Sequence, residues 1–354
     1  MGSVVKVSIG VVVGVILVLL IICFCCFVTF GFFSAAFQAG FEQNLTSMNY
    51  KFVEGNELSK NKVVIVGIKG PILTEKSGGV FDFLGGVQLV YGREVEKTFD
   101  SISKDEDVKA VILDIDSPGG TINGSKIILD AIKEFKEKTG KKVYAFINEV
   151  GGSGGYLVAI GADKIYADMG STIGSIGVIT GENRFYDKVL SDGTIVTENG
   201  IYIDIIHKGE GKDMGNPFRK MTEKEKNILL TSAENIYEYF VSEVSKSRGI
   251  SPEEIKSKIG AYVYDAIVAK QYKLIDEIAN LDTLKSNLIK DLNLGDDYGI
   301  YVIEKGGSFF DYFSSMYYML LNNKKENNSL FSEECIETKQ ILMIYGSPSQ
   351  LCVR

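Results

Sequence analysis

The hydrophobic positions of this chain fall into two patterns. Residues 7–33 form one unbroken apolar run, free of charge and mostly Val, Ile, Leu, Phe or Cys. A bilayer-spanning helix needs about 20 such residues, whereas the apolar core of a cleaved leader is usually about 7–15 residues long. The run therefore predicts a retained transmembrane helix. A signal cleaved near Ser34-Ala35-Ala36 is the alternative. Ile22 before Cys23 does not suit a lipoprotein site, and Lys6 does not suit a myristoylation site. Lys6 and the terminal amine flank one end, and Glu42 is the first charge beyond the other. The positive-inside rule then puts the N-terminus in the cytoplasm and the rest outside. A single-pass cell-membrane protein with an extracytoplasmic domain is expected.

From residue 62 onward, short apolar runs alternate with amphipathic stretches. Residues 63–68, 110–115, 142–147 and 164–167 read as buried strands. Residues 93–103, 125–136 and 154–162 read as helices, the second with Ile127, Ile128, Leu129, Ile132 and Phe135 as its apolar positions. This alternation predicts an α/β fold with a largely parallel sheet and crossover helices, preceded by one N-terminal transmembrane helix. A longer helix over 221–248 opens with Thr222 and Glu225 spaced as a capping box. Ser251-Pro252 opens another. The predicted organisation is a short tail (1–6), an anchor (7–33), a polar linker (34–60), one domain (61–291) and a C-terminal extension (292–354). In the extension, Phe309, Phe310, Phe313, Met316, Tyr317, Leu320 and Leu321 share one helix face. Such a face suits a membrane surface, an oligomer contact or, the favoured option, packing on its own domain. Residues 341–345 read as a terminal strand.

Composition narrows the classes. The net charge is −8 without a dense basic cluster, which argues against nucleic-acid partners. Of the five cysteines, Cys23, Cys25 and Cys26 lie in the apolar run, and Cys335 and Cys352 near the C-terminus. None has metal-site spacing, so neither metal nor cofactor is expected. Cys335 and Cys352 either pair in an oxidising compartment or are unrelated thiols, and their spacing does not decide between these.

Two glycine-rich turns follow predicted strands: Asp116-Ser117-Pro118-Gly119-Gly120 and Gly151-Gly152-Ser153-Gly154-Gly155. Each leads into a helix, whose N-terminal N–H groups favour negative charge. A serine so placed presents its hydroxyl at the sheet edge, where neighbouring N–H groups can form an oxyanion hole. The arrangement suits acyl transfer, although Gly-x-Ser-x-Gly is short and recurs by chance. A serine nucleophile needs a base. His207 is the only histidine, and Lys208 and Lys212 lie just after it. A lysine acts as base only where burial disfavours its ammonium. Lowering it by about 3 pH units costs about 4 kcal/mol relative to water, which a packed interface can supply by excluding water.

Ile115-Asp116-Ser117-Pro118-Gly119-Gly120, Gly152-Ser153-Gly154-Gly155-Tyr156, Gly174-Ser175-Ile176-Gly177-Val178 and Lys212-Asp213-Met214-Gly215-Asn216-Pro217-Phe218-Arg219, in that order and spacing, resemble the signal peptide peptidase A family of S49 serine proteases. The resemblance covers roughly residues 62–290. It implies a Clp protease/crotonase-like fold, with Ser153 as nucleophile, Lys212 as general base and Ser175 hydrogen-bonded to that lysine. Gly119 and Gly120 fall in the oxyanion role, with Gly154 a further candidate. It also implies ring-like homo-oligomers whose short members complete the dyad across a subunit interface. The implied substrates are released signal peptides and other hydrophobic peptides. The sequence departs from the family pattern at Gly151-Gly152 (usually Ala-Ala), at His207 (often lysine) and at Ala261-Tyr262 (often Gly-Arg).

Three other functions stay open. An α/β-hydrolase esterase would use Ser153, His207 and either Asp187 or Asp204. A non-catalytic membrane scaffold would keep the fold alone. A crotonase-like acyl-CoA enzyme would share the oxyanion turns, though a membrane anchor fits its cytosolic substrates poorly.

Overall fold

The computed structural model describes residues 50–76, 88–180, 208, 210–216 and 219–303, and the backbone of three short C-terminal strands. The predicted anchor (7–33), Asp187, Asp204, His207 and the apolar helix face at 309–321 lie outside the described residues. Among the described residues, no helix is long and apolar enough to cross a membrane.

Strands β1 (Tyr50–Gly55), β2 (Lys62–Lys69), β3 (Ile72–Leu73) and β4 (Val90–Tyr91) precede helix α1 (Gly92–Lys104). Then come β5 (Val108–Ser117), β6 (Gly119–Thr121), α2 (Ile122–Thr139), β7 (Lys142–Gly152), α3 (Gly154–Ala159), β8 (Lys164–Ala167) and β9 (Thr172–Gly174). The chain continues through α4 (Glu223–Arg248), α5 (Pro252–Glu254), a π turn (Ile255–Ile259), β10 (Val263–Asp265), α6 (Ala266–Gln271), β11 (Glu277–Ile278), α7 (Leu281–Asp291) and β12 (Gly299–Ile303). Strands β13 (Glu334–Cys335), β14 (Leu342–Ile344) and β15 (Cys352–Val353) lie in the C-terminal extension.

Among the described residues, the main sheet runs in the order β1-β12-β2-β5-β7-β8-β11, with β9 and β10 attached beside β7. The pairings β12–β2, β2–β5, β5–β7, β7–β8, β8–β11 and β7–β9 are parallel; β1–β12 and β9–β10 are antiparallel. The mixed α/β fold with a largely parallel sheet agrees with the sequence pattern. The central strands are apolar without alternation because helices cover both faces. Val63, Ile65, Ile112, Tyr144, Phe146 and Ile300 pack on one side with Leu284 and Leu288 of α7. Val64, Val66, Val111, Leu113, Val143 and Ala145, at the alternate positions, are also buried. Helices α1 and α2 meet through Phe99 and Phe135, edge to face with centroids 5.4 Å apart.

The ordered sheet extends past both ends of the 61–291 segment. Strand β1 begins at Tyr50 inside the polar linker stretch, and β12 lies beyond residue 291. Both are short: β12 is held by parallel pairing with β2, and β1 by antiparallel pairing with β12. The capping box at Thr222 and Glu225 is present, with Thr222 Oγ1 accepting from Glu225 N–H and the Glu225 carboxylate accepting from Thr222 N–H.

A second sheet, ordered β14-β6-β3-β4, carries the first glycine-rich turn. Gly120 faces Ile72 so closely that a Cβ there would lie 1.9 Å from the Ile72 carbonyl oxygen. Glycine at this position is what lets β6 pair with β3.

Candidate active site

Strands β5 and β7 are parallel neighbours, and their ends bring the two glycine-rich turns together, with Ser117 opposite Gly151. The second turn sits tightly on the first. A Cβ on Gly155 would lie 2.7 Å from the Ser117 carbonyl oxygen, so only glycine fits there. Ser117 Oγ donates to Gly70 O at 2.7 Å and accepts the Gly119 N–H at 3.2 Å, tying the first turn to the end of β2.

Ser153 stands between β7 and α3 with φ 50° and ψ −117°. A non-glycine residue there stores about 1–3 kcal/mol of strain. Its N–H donates to Gly174 O at 2.7 Å, and its carbonyl accepts the Leu157 N–H at 2.9 Å. Its Oγ is buried and has no hydrogen-bond partner among the described residues. Most buried hydroxyls are satisfied, so strain and an unpaired hydroxyl at one residue point to function. Helix α3 behind it is pinned by Tyr156, fully buried, whose hydroxyl donates to Leu274 O at 2.8 Å. Burial pushes the Tyr156 phenol well above its ordinary value, which keeps it a donor.

Strand β9 runs parallel to the end of β7, with Gly152 opposite Gly174. Each glycine is followed by a serine in the left-handed region, Ser153 and Ser175. The register thus places the two predicted site serines side by side at adjacent strand ends. Ser175 is nearly buried, and its N–H donates to Tyr262 O at 2.7 Å. A Cβ on Gly151 would come 2.6 Å from Ile147 Cδ1, so glycine in place of the family's alanine suits the isoleucine packed beneath it.

Of the proposed oxyanion donors, Gly119 N–H is engaged by Ser117 Oγ through a long bond. Gly120 lies within β6, and Gly154 is the first residue of α3.

Lys212 lies in a tight turn, exposed in the protomer, with Met214 N–H donating to Gly211 O and Asn216 N–H to Asp213 O. Among the described residues, no hydrogen bond joins Ser153 Oγ to Lys212 or Ser175. Sequence reasoning gave no role to Arg219, yet it organises this turn. Its guanidinium pairs with Asp213 through Nε and Nη2 at 2.7 and 2.8 Å, and with Glu225 through Nη1 and Nη2 at 2.9 and 2.6 Å. The signal was available: Arg219 has a carboxylate six residues away on either side, one of them already marked as the helix cap. The Arg219 guanidinium first, and the Thr222 N–H after it, lower the Glu225 carboxyl to about 2.

A depressed carboxyl contributes its stability above its ordinary value and loses it as pH falls through the folded value. The Glu225 half of the clamp is therefore complete above its ordinary 4.5 and is lost as pH falls toward about 2. Arg219→Ala is expected to raise hydrogen exchange at the Met214 and Asn216 amides roughly tenfold at neutral pH. Arg219→Lys should rescue little, because an ammonium cannot make both forks. Unchanged exchange in Arg219→Ala would show that the turn holds itself.

Residues 135–295 match the model of Peptidase family S49. A protein of Methanocaldococcus jannaschii, provisionally named a protease, is 32% identical over 179 residues, covering 51% of this chain and 55% of that protein. A protein of Enterococcus faecium, provisionally named signal peptide peptidase SppA, is 28% identical over 261 residues, covering 71% of this chain and 72% of that protein. Protease 4 of Haemophilus influenzae is 29% identical over 222 residues, covering 63% of this chain. The chain spans 55% of the first of these relatives and 33% of Protease 4.

Proposed function

We propose, from the match of residues 135–295 to the model of Peptidase family S49, that this chain is a membrane-anchored serine endopeptidase with Ser153 as nucleophile and Lys212 as general base. The observation that carries this is the Ser153 hydroxyl, buried and unpartnered on a strained strand-to-helix turn. Ser175, at the adjacent strand end, hydrogen-bonds and orients the lysine. The Gly120 and Gly154 N–H groups stabilise the oxyanion, joined by Gly119 once Ser117 Oγ releases its long bond.

In the first step Ser153 Oγ attacks the peptide carbonyl and its proton passes to neutral Lys212. The lysine then protonates the leaving amine, and water hydrolyses the acyl-enzyme by the reverse route. Lys212 is exposed on the single chain, and a lysine serves as a base only where water is excluded from it. A neighbouring copy that covers it supplies the missing desolvation. We therefore place the dyad at an interface of a ring-like homo-oligomer with a Clp protease/crotonase-like protomer. The apolar segment 7–33 anchors it with the domain outside the cytoplasm, and hydrophobic peptides, released signal peptides among them, are the substrates.

Labelling of the full-length protein with a fluorophosphonate probe tests this. Wild type and His207→Ala should label, while Ser153→Ala and Lys212→Ala should not, with losses of roughly 1,000-fold or more. Labelling that survives Lys212→Ala but disappears in His207→Ala would replace the dyad by a Ser–His esterase. No labelling of wild type in its oligomeric state would leave a scaffold.

A further inference from the structure

Strand β6 carries Gly119 and Gly120 between two neighbours. On one side is β3; on the other is β14, from the C-terminal extension. The pairing with β14 is antiparallel, with Leu342, Met343 and Ile344 opposite Thr121, Gly120 and Gly119. Without β14 the sheet would end at β6, and the glycine turn would present a free strand edge. Such an edge takes up an extended peptide through main-chain hydrogen bonds. The chain's own Leu-Met-Ile segment sits where that peptide would lie.

A second pairing flanks this segment in sequence. Strands β13 and β15 are antiparallel, and Cys335 stands directly opposite Cys352. Directly opposed residues in an antiparallel pair have Cα atoms about 4.5–5.5 Å apart, within the roughly 4.4–6.8 Å that a disulfide requires. The other cysteines, Cys23, Cys25 and Cys26, are in the apolar N-terminal run.

We propose that Cys335 and Cys352 form a disulfide that closes residues 335–352 into a loop and holds Leu342–Ile344 on the β6 edge, so that oxidation keeps the catalytic cleft occupied and reduction frees it. The oxidant is a disulfide-bearing donor. One cysteine thiolate attacks its S–S bond to give a mixed disulfide and one released thiol. The second thiolate then displaces the other donor thiol. The two cysteines are oxidised by two electrons, and the donor leaves as two thiols carrying the two protons. A closed loop presents its strand at high effective concentration, so an incoming peptide must displace a tethered competitor. The consequence for activity rests on the assignment of Ser153 and the Gly119–Gly120 turn above; the disulfide and the strand occupancy do not.

The test uses the full-length protein in detergent, equilibrated with either oxidised or reduced glutathione. Peptide mass mapping should find Cys335 linked to Cys352 in the oxidised sample. Hydrogen exchange at Gly119, Gly120 and Thr121 should rise on reduction and in Cys335→Ser. Fluorophosphonate labelling of Ser153 should speed up by roughly tenfold or more at the same time. The double variant Met343→Pro/Ile344→Pro removes a ladder donor in either hydrogen-bonding phase, because adjacent residues alternate. It should keep the disulfide yet exchange at 119–121 like the reduced protein. Free thiols under oxidising conditions, or pairing with another cysteine or another copy, would overturn the proposal. So would a mapped disulfide whose reduction leaves exchange at 119–121 unchanged. Exchange that responds while Ser153 stays unlabelled in both states would uphold the strap and reject the catalytic assignment instead.

Discussion

Ser153→Ala should abolish peptide hydrolysis and leave the protein as stable as wild type or more so. The loss of activity is expected to reach roughly 10,000-fold or more, as for other serine nucleophiles. The stability result follows from the local structure. The hydroxyl is buried without a partner among the described residues, and leaving such a group unsatisfied costs about 1–3 kcal/mol. Alanine removes that cost, keeps the backbone N–H bond to Gly174 O, and adds no volume. In a domain of this size each kcal/mol gained should raise Tm by about 2–4 °C. Urea titration with matched activity measurement separates the outcomes. A marked fall in stability would make Ser153 a structural turn residue, whereas activity lost at equal or higher stability is the signature of a functional group kept at a structural cost.

Gly120→Ala should be the most damaging single methyl addition in the site region. The added carbon would lie 1.9 Å from the Ile72 carbonyl oxygen and 2.6 Å from its nitrogen. Both are backbone atoms, so no rotamer change relieves the overlap, and β6 must part from β3. A loss of about 3 kcal/mol or more is expected, in the range of severe strain mutations. Because the same strand carries the turn proposed as the oxyanion site, peptidase activity should fall further than stability alone predicts. Gly170→Ala is the control: a Cβ there meets nothing within 4 Å, so it should change stability by about 1 kcal/mol at most. Thermal unfolding of the two variants side by side checks this. Equal Tm values would show that β6 shifts without penalty and that its glycine is not a steric requirement.

The proposed strap and the proposed dyad make separable claims on the same cleft. Oxidation state should alter access to Ser153 without altering its intrinsic reactivity. Arg219, by contrast, acts on the Lys212 turn and should be indifferent to the cysteines. A combined Arg219→Ala/Cys335→Ser variant should therefore show additive effects on exchange, each confined to its own segment.

The sequence by itself determined the central α/β alternation. Runs such as Val63-Val64-Ile65-Val66 can satisfy their apolar surface only as buried strands, and the helix between β5 and β7 carries a periodic apolar face. It also determined the glycine turns, because only glycine permits the close approaches at Gly120 and Gly155. The cap at Thr222 was legible because capping is local. The tertiary structure alone decided what depends on pairing between distant segments. Strand β12 is set by its parallel pairing with β2, and β1 by its pairing with β12, both across long stretches of chain. The alignment of Gly152 with Gly174, which sets Ser153 beside Ser175, comes from parallel register. The role of Arg219 comes from a turn folding back on a helix start, and the placement of Leu342–Ile344 on β6 from a strand edge that no local propensity announces. Local chemistry writes turns, caps and buried runs into the chain, whereas register and long-range pairing arise from the summed packing of the whole domain.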